Sequence, residues 1–142
     1  MKNVQQVLQQ KQPQLYFVIP GTFVIEALQY MMDKNISAVL VMDKDRLAGI
    51  FTERDYARKI VLKGKSSMQT PVDEVMSRNL LTVDRQTPVS TCMQIMTERR
   101  IRHLPVVEEQ RVLGVVSIGD LVKAVMEEQQ STIEQLEHFI SS

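Results

Sequence analysis

The sequence has little of several things, and each shortage narrows its function. Among 142 residues there is a single cysteine, Cys92, and no tryptophan. One cysteine cannot build an intrachain disulfide framework, so a reducing cytoplasm is the expected compartment. Charge of one sign is missing too: seventeen basic side chains balance seventeen acidic ones. A nucleic-acid binder usually carries a basic excess, and "ERRIRH" at 98–103 is the main basic cluster, so no nucleic-acid partner is expected. No apolar run approaches the roughly 20 residues of a spanning helix, which argues against a membrane partner. The first residues, "MKNVQQVLQQKQPQ", are polar and lack the apolar core of a signal peptide. There is no Walker loop and no GxGxxG. His103 and His138 share no ligand spacing with Cys92 or with an acidic pair, so no metal site is expected. No nucleophile–base or carboxylate pair stands out, and no enzyme is expected.

What the chain does have is a cassette written twice. "GIFTERD" at 49–55 and "GVVSIGD" at 114–120 each run glycine, two apolar residues, hydroxyl, two variable positions and aspartate. Residues 15–62 lie over 80–127 without a gap, with eleven of the 48 pairs identical. Such self-similarity marks a tandem repeat. Gly64, Ser66, Ser67 and Pro71 mark a linker between the copies.

Within copy one, "LYFVI" at 15–19 reads as a short strand. Residues 22–35 space Val24, Ala27, Leu28, Met31 and Met32 at helical intervals, with Thr22 or Gly21 as the cap. "SAVLVM" at 37–42 and "LAGIF" at 47–51 read as a hairpin around "DKDR". A second helix is expected from near Thr52 to about Leu62. Copy two repeats this β-α-β-β-α order. Pro105 lies inside its third element, so that position is expected at an edge or strand start. A unit of about 55 residues is marginal alone, so two copies packed sheet to sheet would share a core. The fold class is α+β, with pseudo-two-fold symmetry and an extended C-terminal helix. The expected boundaries are 1–63 for repeat one with the N-terminal segment, 64–71 for the linker, 72–127 for repeat two and 128–142 for the helical tail.

The cassette has two readings. A hydroxyl followed three positions later by an acid is a capping box. Equally, a glycine in a strand marks a close approach to the backbone, a helix start favours phosphate, and an aspartate can accept from ribose hydroxyls. The second reading describes a nucleotide site.

The chain resembles a pair of cystathionine-β-synthase (CBS) domains, a Bateman module, over roughly residues 4–127. The two cassettes, "RHLPVV" at 102–107, "VDEVM" at 72–76 opening copy two and "VQQVL" at 4–8 as its counterpart carry the resemblance. "TERDYARKIVL" is similar to small stand-alone bacterial members. The resemblance implies a regulatory module that binds adenosyl ligands (AMP, ADP, ATP, NAD or S-adenosylmethionine) in clefts between the copies, with no catalytic cofactor. It implies that Asp55 and Asp120 hold ribose and that Thr52 and Ser117 lie on the phosphate side. It gives Asp120 the company of Gln14, Tyr16 and Ile36, and Asp55 that of Asn79, Leu81 and Ile101. It sets Arg102 and His103 towards phosphates. Arg54 can add a charge-assisted contact or stay solvated. Arg99 and Arg100 read as cations at a helix end. The copies differ most at these basic positions, so the clefts are expected to differ in affinity.

The tail "LVKAVMEEQQSTIEQLEHFISS" continues the last helix, with Ser131 and Thr132 as the expected interruption. Its apolar stripe has two places to pack, the chain's own module or a second subunit, and the family's homodimers favour the second. The rival reading is a degenerate pair acting as a structural adaptor, in which the cassettes only cap helices and the tail binds a partner protein.

Overall fold

The computed structural model describes residues 2–11 and 15–141. The chain forms two compact units. One spans residues 15–80; the other joins residues 81–142 to the N-terminal segment.

In the 15–80 unit, β1 (Phe17–Val18) pairs parallel with β2 (Ala38–Asp43), which pairs antiparallel with β3 (Arg46–Thr52). Between β1 and β2 runs α2 (Val24–Lys34), numbered after α1 (Val4–Gln9) of the N-terminal segment. Val24, Ala27 and Met31 point from it into a core with Val39, Val41 and Phe51. Branched and aromatic residues on β2 and β3 favour extended backbone and pack this face. The cap of α2 is Phe23 rather than Thr22 or Gly21. Carbonyls of the linker replace a side-chain cap: Thr70 O accepts from Val24 N–H and Ser67 O from Ile25 N–H, both at 2.9 Å. Gly21 has φ +90° and donates its N–H to Asp73 Oδ1 at 2.7 Å. That backbone region is open to glycine and strained for most other residues.

After β3 the chain enters a short helix, α3 (Glu53–Asp55), which continues as a π-helical stretch, Tyr56–Val61. The helix expected from Thr52 to Leu62 is therefore present, but mostly wider than an α-helix. A 3-10 turn at Val72–Glu74 follows the linker.

In the other unit, α1 (Val4–Gln9), α4 (Val89–Arg99), the hairpin β4 (His103–Glu108) and β5 (Arg111–Ser117), and α5 (Ile118–Ser141) enclose a core of Val4, Val7, Cys92, Leu104, Val116 and Leu121 among others. Both hairpins carry a register shift at the same place, between Val41 and Met42 and between Val106 and Val107.

"VDEVM" and "VQQVL" serve the opposite copies from those the repeat suggests. Val72, Val75 and Met76 are buried in the core of the 15–80 unit, and Ser77 bridges Ile50. Val4 and Val7 are buried with copy two. The two dockings share corresponding bonds. Val72 N–H donates to Thr22 O at 2.7 Å, and Val4 N–H donates to Thr87 O at 2.9 Å. Each repeat leaves an apolar edge open, and the segment preceding the other repeat closes it.

Pro105 is the third residue of β4, opposite Val115, and not at a strand start. Its carbonyl accepts from Val83 N–H on the side away from β5. A proline has no amide hydrogen to extend a ladder there. Copy two accordingly has a single parallel bridge, Val83 to Val106, where copy one has the strand β1.

Helix α5 is continuous through Ser131 and Thr132. The Thr132 hydroxyl donates to Glu128 O at 3.0 Å, within the helix, and so does not break it. Among the described residues no helix is long and apolar enough to cross a membrane.

Candidate functional site

Each cassette ends a strand and starts a helix, and both form complete capping boxes. In copy one, Asp55 N–H donates to Thr52 Oγ1 at 3.1 Å and Thr52 N–H donates to Asp55 Oδ2 at 3.0 Å. In copy two, Asp120 N–H donates to Ser117 Oγ at 3.1 Å and Ser117 N–H donates to Asp120 Oδ2 at 2.9 Å. The first helical amides are occupied as well. Glu53 N–H donates to Ser37 O and Ile118 N–H to Arg102 O. The capping reading is thus correct as geometry. Much of the helix-start donor capacity read from the sequence is already consumed by the chain itself.

The close approach to the cassette glycines also comes from the chain. A Cβ at Gly49 would stand 2.5 Å from Met76 Sδ and 2.8 Å from Ser77 O. A Cβ at Gly114 would stand 3.1 Å from Leu8 Cδ2. The docked 72–77 segment leaves no room for a side chain at Gly49, whereas at Gly114 only the end of the Leu8 side chain comes close.

The two aspartates differ in how far the chain satisfies them. Asp55 is buried. Ser77 Oγ donates to its Oδ1 at 3.0 Å, and Lys59 Nζ lies 3.1 Å from the same oxygen. Thr52 also donates its hydroxyl to Oδ2 at 3.1 Å. Both oxygens of Asp55 are therefore engaged on both sides. Asp120 is half-buried. Lys11 Nζ donates to its Oδ2 at 2.8 Å and to Val115 O at 2.7 Å. Among the described residues its Oδ1 carries no hydrogen bond. Burial pushes the Asp120 carboxyl up, but the Lys11 hydrogen bond, the Ser117 amide and the Lys11 charge outweigh burial and hold it below the usual carboxylate range. The group is an anion with one oxygen still available to accept.

His103 belongs to the same cluster, since β4 and β5 set it opposite Ser117. Burial lowers its imidazole, and the charges of Lys11 and Arg102 lower it further, while Asp120 pulls it back up. Arg102 contributes its carbonyl to the start of α5, and its side chain is exposed. The structure brings Ser117, Asp120, His103 and Arg102 to one end of the β4–β5 hairpin. Lys11 was missed from sequence, being one of two lysines in a polar segment. Ser77 and Lys59 were missed as well, although an aspartate and a lysine four apart on a helix are a readable pair.

The remaining expected residues divide between the two units. Arg54 is exposed on the first turn of α3. Asn79 is exposed and belongs to the unit of Asp55. Tyr16 and Ile36 belong to that unit too. Tyr16 meets Tyr30 edge to face at 6.2 Å with Lys34 over both rings, and Ile36 packs on the core. In the other unit, Leu81 is exposed and Ile101 packs on the core. Gln14 lies outside the described residues. Arg100 takes the left-handed position that ends α4, as Asn35 does for α2. Among the described residues, no group of three histidine, cysteine or acidic side chains could hold a metal ion.

Comparison with known proteins places this geometry. The family model for the CBS domain matches residues 7–62 and again 72–127. CBS domain-containing protein CBSX3, mitochondrial, from Arabidopsis thaliana is 42% identical over 122 residues; the match takes in 82% of this chain and 59% of the relative's length. A solved protein with CBS domains from Burkholderia ambifaria MC40-6 is 44% identical, with TM-score 0.87, covering 90% of this chain and 96% of that one. The CBS domain pair of protein MJ0100, solved with 5-methylthioadenosine and S-adenosyl-L-methionine, shares the fold at TM-score 0.79 and 24% identity, over 90% of this chain and 98% of that one. Two matched domains, a doubled strand–cap–helix cassette and a mixed fold with two small sheets lead to one statement: the chain belongs to the CBS domain family, as a tandem pair.

Proposed function

We propose that the chain is a non-catalytic regulatory module that binds an adenosyl ligand, and that Asp120 marks its principal site. The observation that carries this is the free Oδ1 of an ionised Asp120, next to a helix start and beside the Lys11 ammonium. A carboxylate with an open oxygen accepts from vicinal ribose hydroxyls, and a lysine adjacent to it suits a phosphate or the carboxylate of S-adenosylmethionine. The complex of the MJ0100 pair with two adenosyl compounds supports this ligand class. Asp55 has no such open oxygen, so its site is the weaker one and fills only if Ser77 or Lys59 gives way. The resemblance adds Thr52, Asn79, Leu81 and Ile101 to the ligand of Asp55, and Arg54 can add a charge-assisted contact to a phosphate. It adds Gln14, Tyr16, Ile36 and Ser117 to that of Asp120, and it sets Arg102 and His103 towards phosphates.

Calorimetry with AMP, ATP, NAD and S-adenosylmethionine tests the proposal. At least one ligand should bind, and Asp120→Ala should weaken it by about tenfold or more, near 1.4 kcal/mol, with a smaller loss for Asp55→Ala. No binding by the unaltered protein, or equal affinity in the double variant, would refute it.

A second reading has its own support. Both cassettes are complete capping boxes, as expected for a structural adaptor whose aspartates only start helices. Partner capture that needs α5 but ignores added nucleotide would favour the adaptor.

A further inference from the structure

The two repeats set a lysine against different oxygens of their cassette aspartates. In both, Oδ2 is the oxygen that accepts from the cap amide, Thr52 N–H or Ser117 N–H. Lys59 lies against Oδ1 of Asp55, the oxygen that Ser77 also fills. The residue of copy two that aligns with Lys59 is Ala124, which is buried and brings no charge. There the cation comes from the N-terminal segment instead. Lys11 Nζ lies 2.8 Å from Oδ2 of Asp120, the capping oxygen. Lys11 also replaces a backbone bond. Ile50 O accepts from Ser77 N–H at 2.8 Å, whereas Val115 O, which aligns with it, accepts from Lys11 Nζ at 2.7 Å. An ammonium has three N–H groups. Among the described residues two of them have acceptors, and the side chain is 38% exposed. An open acceptor, Asp120 Oδ1, thus stands beside a cation with a donor to spare. The charges acting on His103 are Lys11 and Arg102, both positive, and Asp120, negative. His103 itself is lowered by burial first and is uncharged near neutral pH, so the balance of the cluster is positive.

We propose that Lys11 makes this site selective for nucleoside phosphates over adenosyl ligands with no net negative charge, a selectivity that rests on the adenosyl reading of Asp120. Alone, the Asp120 carboxylate would repel a phosphate. Lys11 cancels that charge, and Arg102 tips the balance in favour of an anion. The spare N–H of Lys11 gives a phosphate oxygen a charge-assisted hydrogen bond. Its flexible four-carbon stem lets the ammonium give up Val115 O for a phosphate, which a backbone amide such as Ser77 N–H cannot do. Adenosine brings no charge to this cluster. S-adenosylmethionine brings a sulfonium and an ammonium against one carboxylate. Neither gains from the positive balance as AMP, ADP or ATP does.

Calorimetry of the full chain with AMP, adenosine and S-adenosylmethionine tests the selectivity, read on the site that Asp120→Ala weakens. The unaltered protein should bind AMP at least about tenfold more tightly than adenosine. Lys11→Met should cut AMP affinity about tenfold and leave adenosine within about threefold of its own value. Lys11 is exposed, so the change opens no core cavity, and circular dichroism checks the fold. A lysine that only braced the N-terminal segment would weaken both ligands alike in Lys11→Met, leaving the ratio of their affinities unmoved. That result, or tighter binding of S-adenosylmethionine than of AMP, would overturn the selectivity. The proposed function would still stand if the binding that remained was weakened by Asp120→Ala. Absence of binding by all three ligands would overturn both.

Discussion

Lys11 Nζ and Asp120 Oδ2 lie 2.8 Å apart, although 109 positions separate the residues in sequence. The contact ties the end of the N-terminal segment to the first turn of α5. It also places a cation beside His103. Lowered by burial first and by Lys11 next, His103 binds its proton more weakly in the folded chain than in the unfolded one. The unfolded chain therefore holds more protons between the lowered value and the ordinary 6.5. Stability rises with pH across that window and falls as pH drops from about 6.5. We expect thermal unfolding at pH 5.5 to come earlier than at pH 7.5, with a smaller gap in His103→Asn. In an NMR titration, Lys11→Met should move His103 upward and Asp120→Asn should move it further down.

The two cassette glycines should respond unequally to a methyl group. Gly49→Ala meets a backbone carbonyl, Ser77 O, besides Met76, and the docked strand cannot retreat. A loss of about 1–3 kcal/mol is expected in denaturant unfolding. Gly114→Ala meets only the end of the Leu8 side chain, which can swing aside. That change should stay within about 1 kcal/mol of neutral, since alanine also stiffens the unfolded chain.

Cys92 is fully buried in α4, and burial pushes its thiol up to about 11. Reactivity resides in the thiolate. A water-soluble thiol reagent at pH 8 should leave the native protein unmodified and label it at the rate of unfolding, with full labelling in denaturant. Rapid native labelling would contradict the packing of α4.

The hairpin loop between β4 and β5 is two residues long, and both have positive φ, 50° at Glu109 and 66° at Gln110. Such turns favour Asn-Gly. Glu109→Asn with Gln110→Gly should raise stability by about 1 kcal/mol without touching the ligand site, as thermal unfolding would show.

Much of this was legible because it is local. Helices α2 and α4, both hairpins and the cassette helices follow from residues near one another in sequence. The capping boxes were readable because three positions separate their members. Less legible was anything set by docking. "VDEVM" and "VQQVL" look like openings of the repeats they precede, yet each buries its valines with the other repeat. Ser77 and Lys11 carry no mark in sequence that sets them apart from other polar residues, and Lys59 is marked only by its spacing from Asp55. The proline in β4 was readable as a restraint on the ladder but not as the reason copy two has no counterpart of β1.

The sequence by itself determined the duplication, the order of elements within a copy and the identity of the two aspartates, because these depend on spacing along the chain. Only the tertiary structure decided that the aspartates are unequal. Ser77 and Lys59 close Asp55, whereas Lys11 leaves one oxygen of Asp120 open. That difference arises from which segment packs over each cassette, and a carboxylate's capacity to bind is set by the donors that surround it.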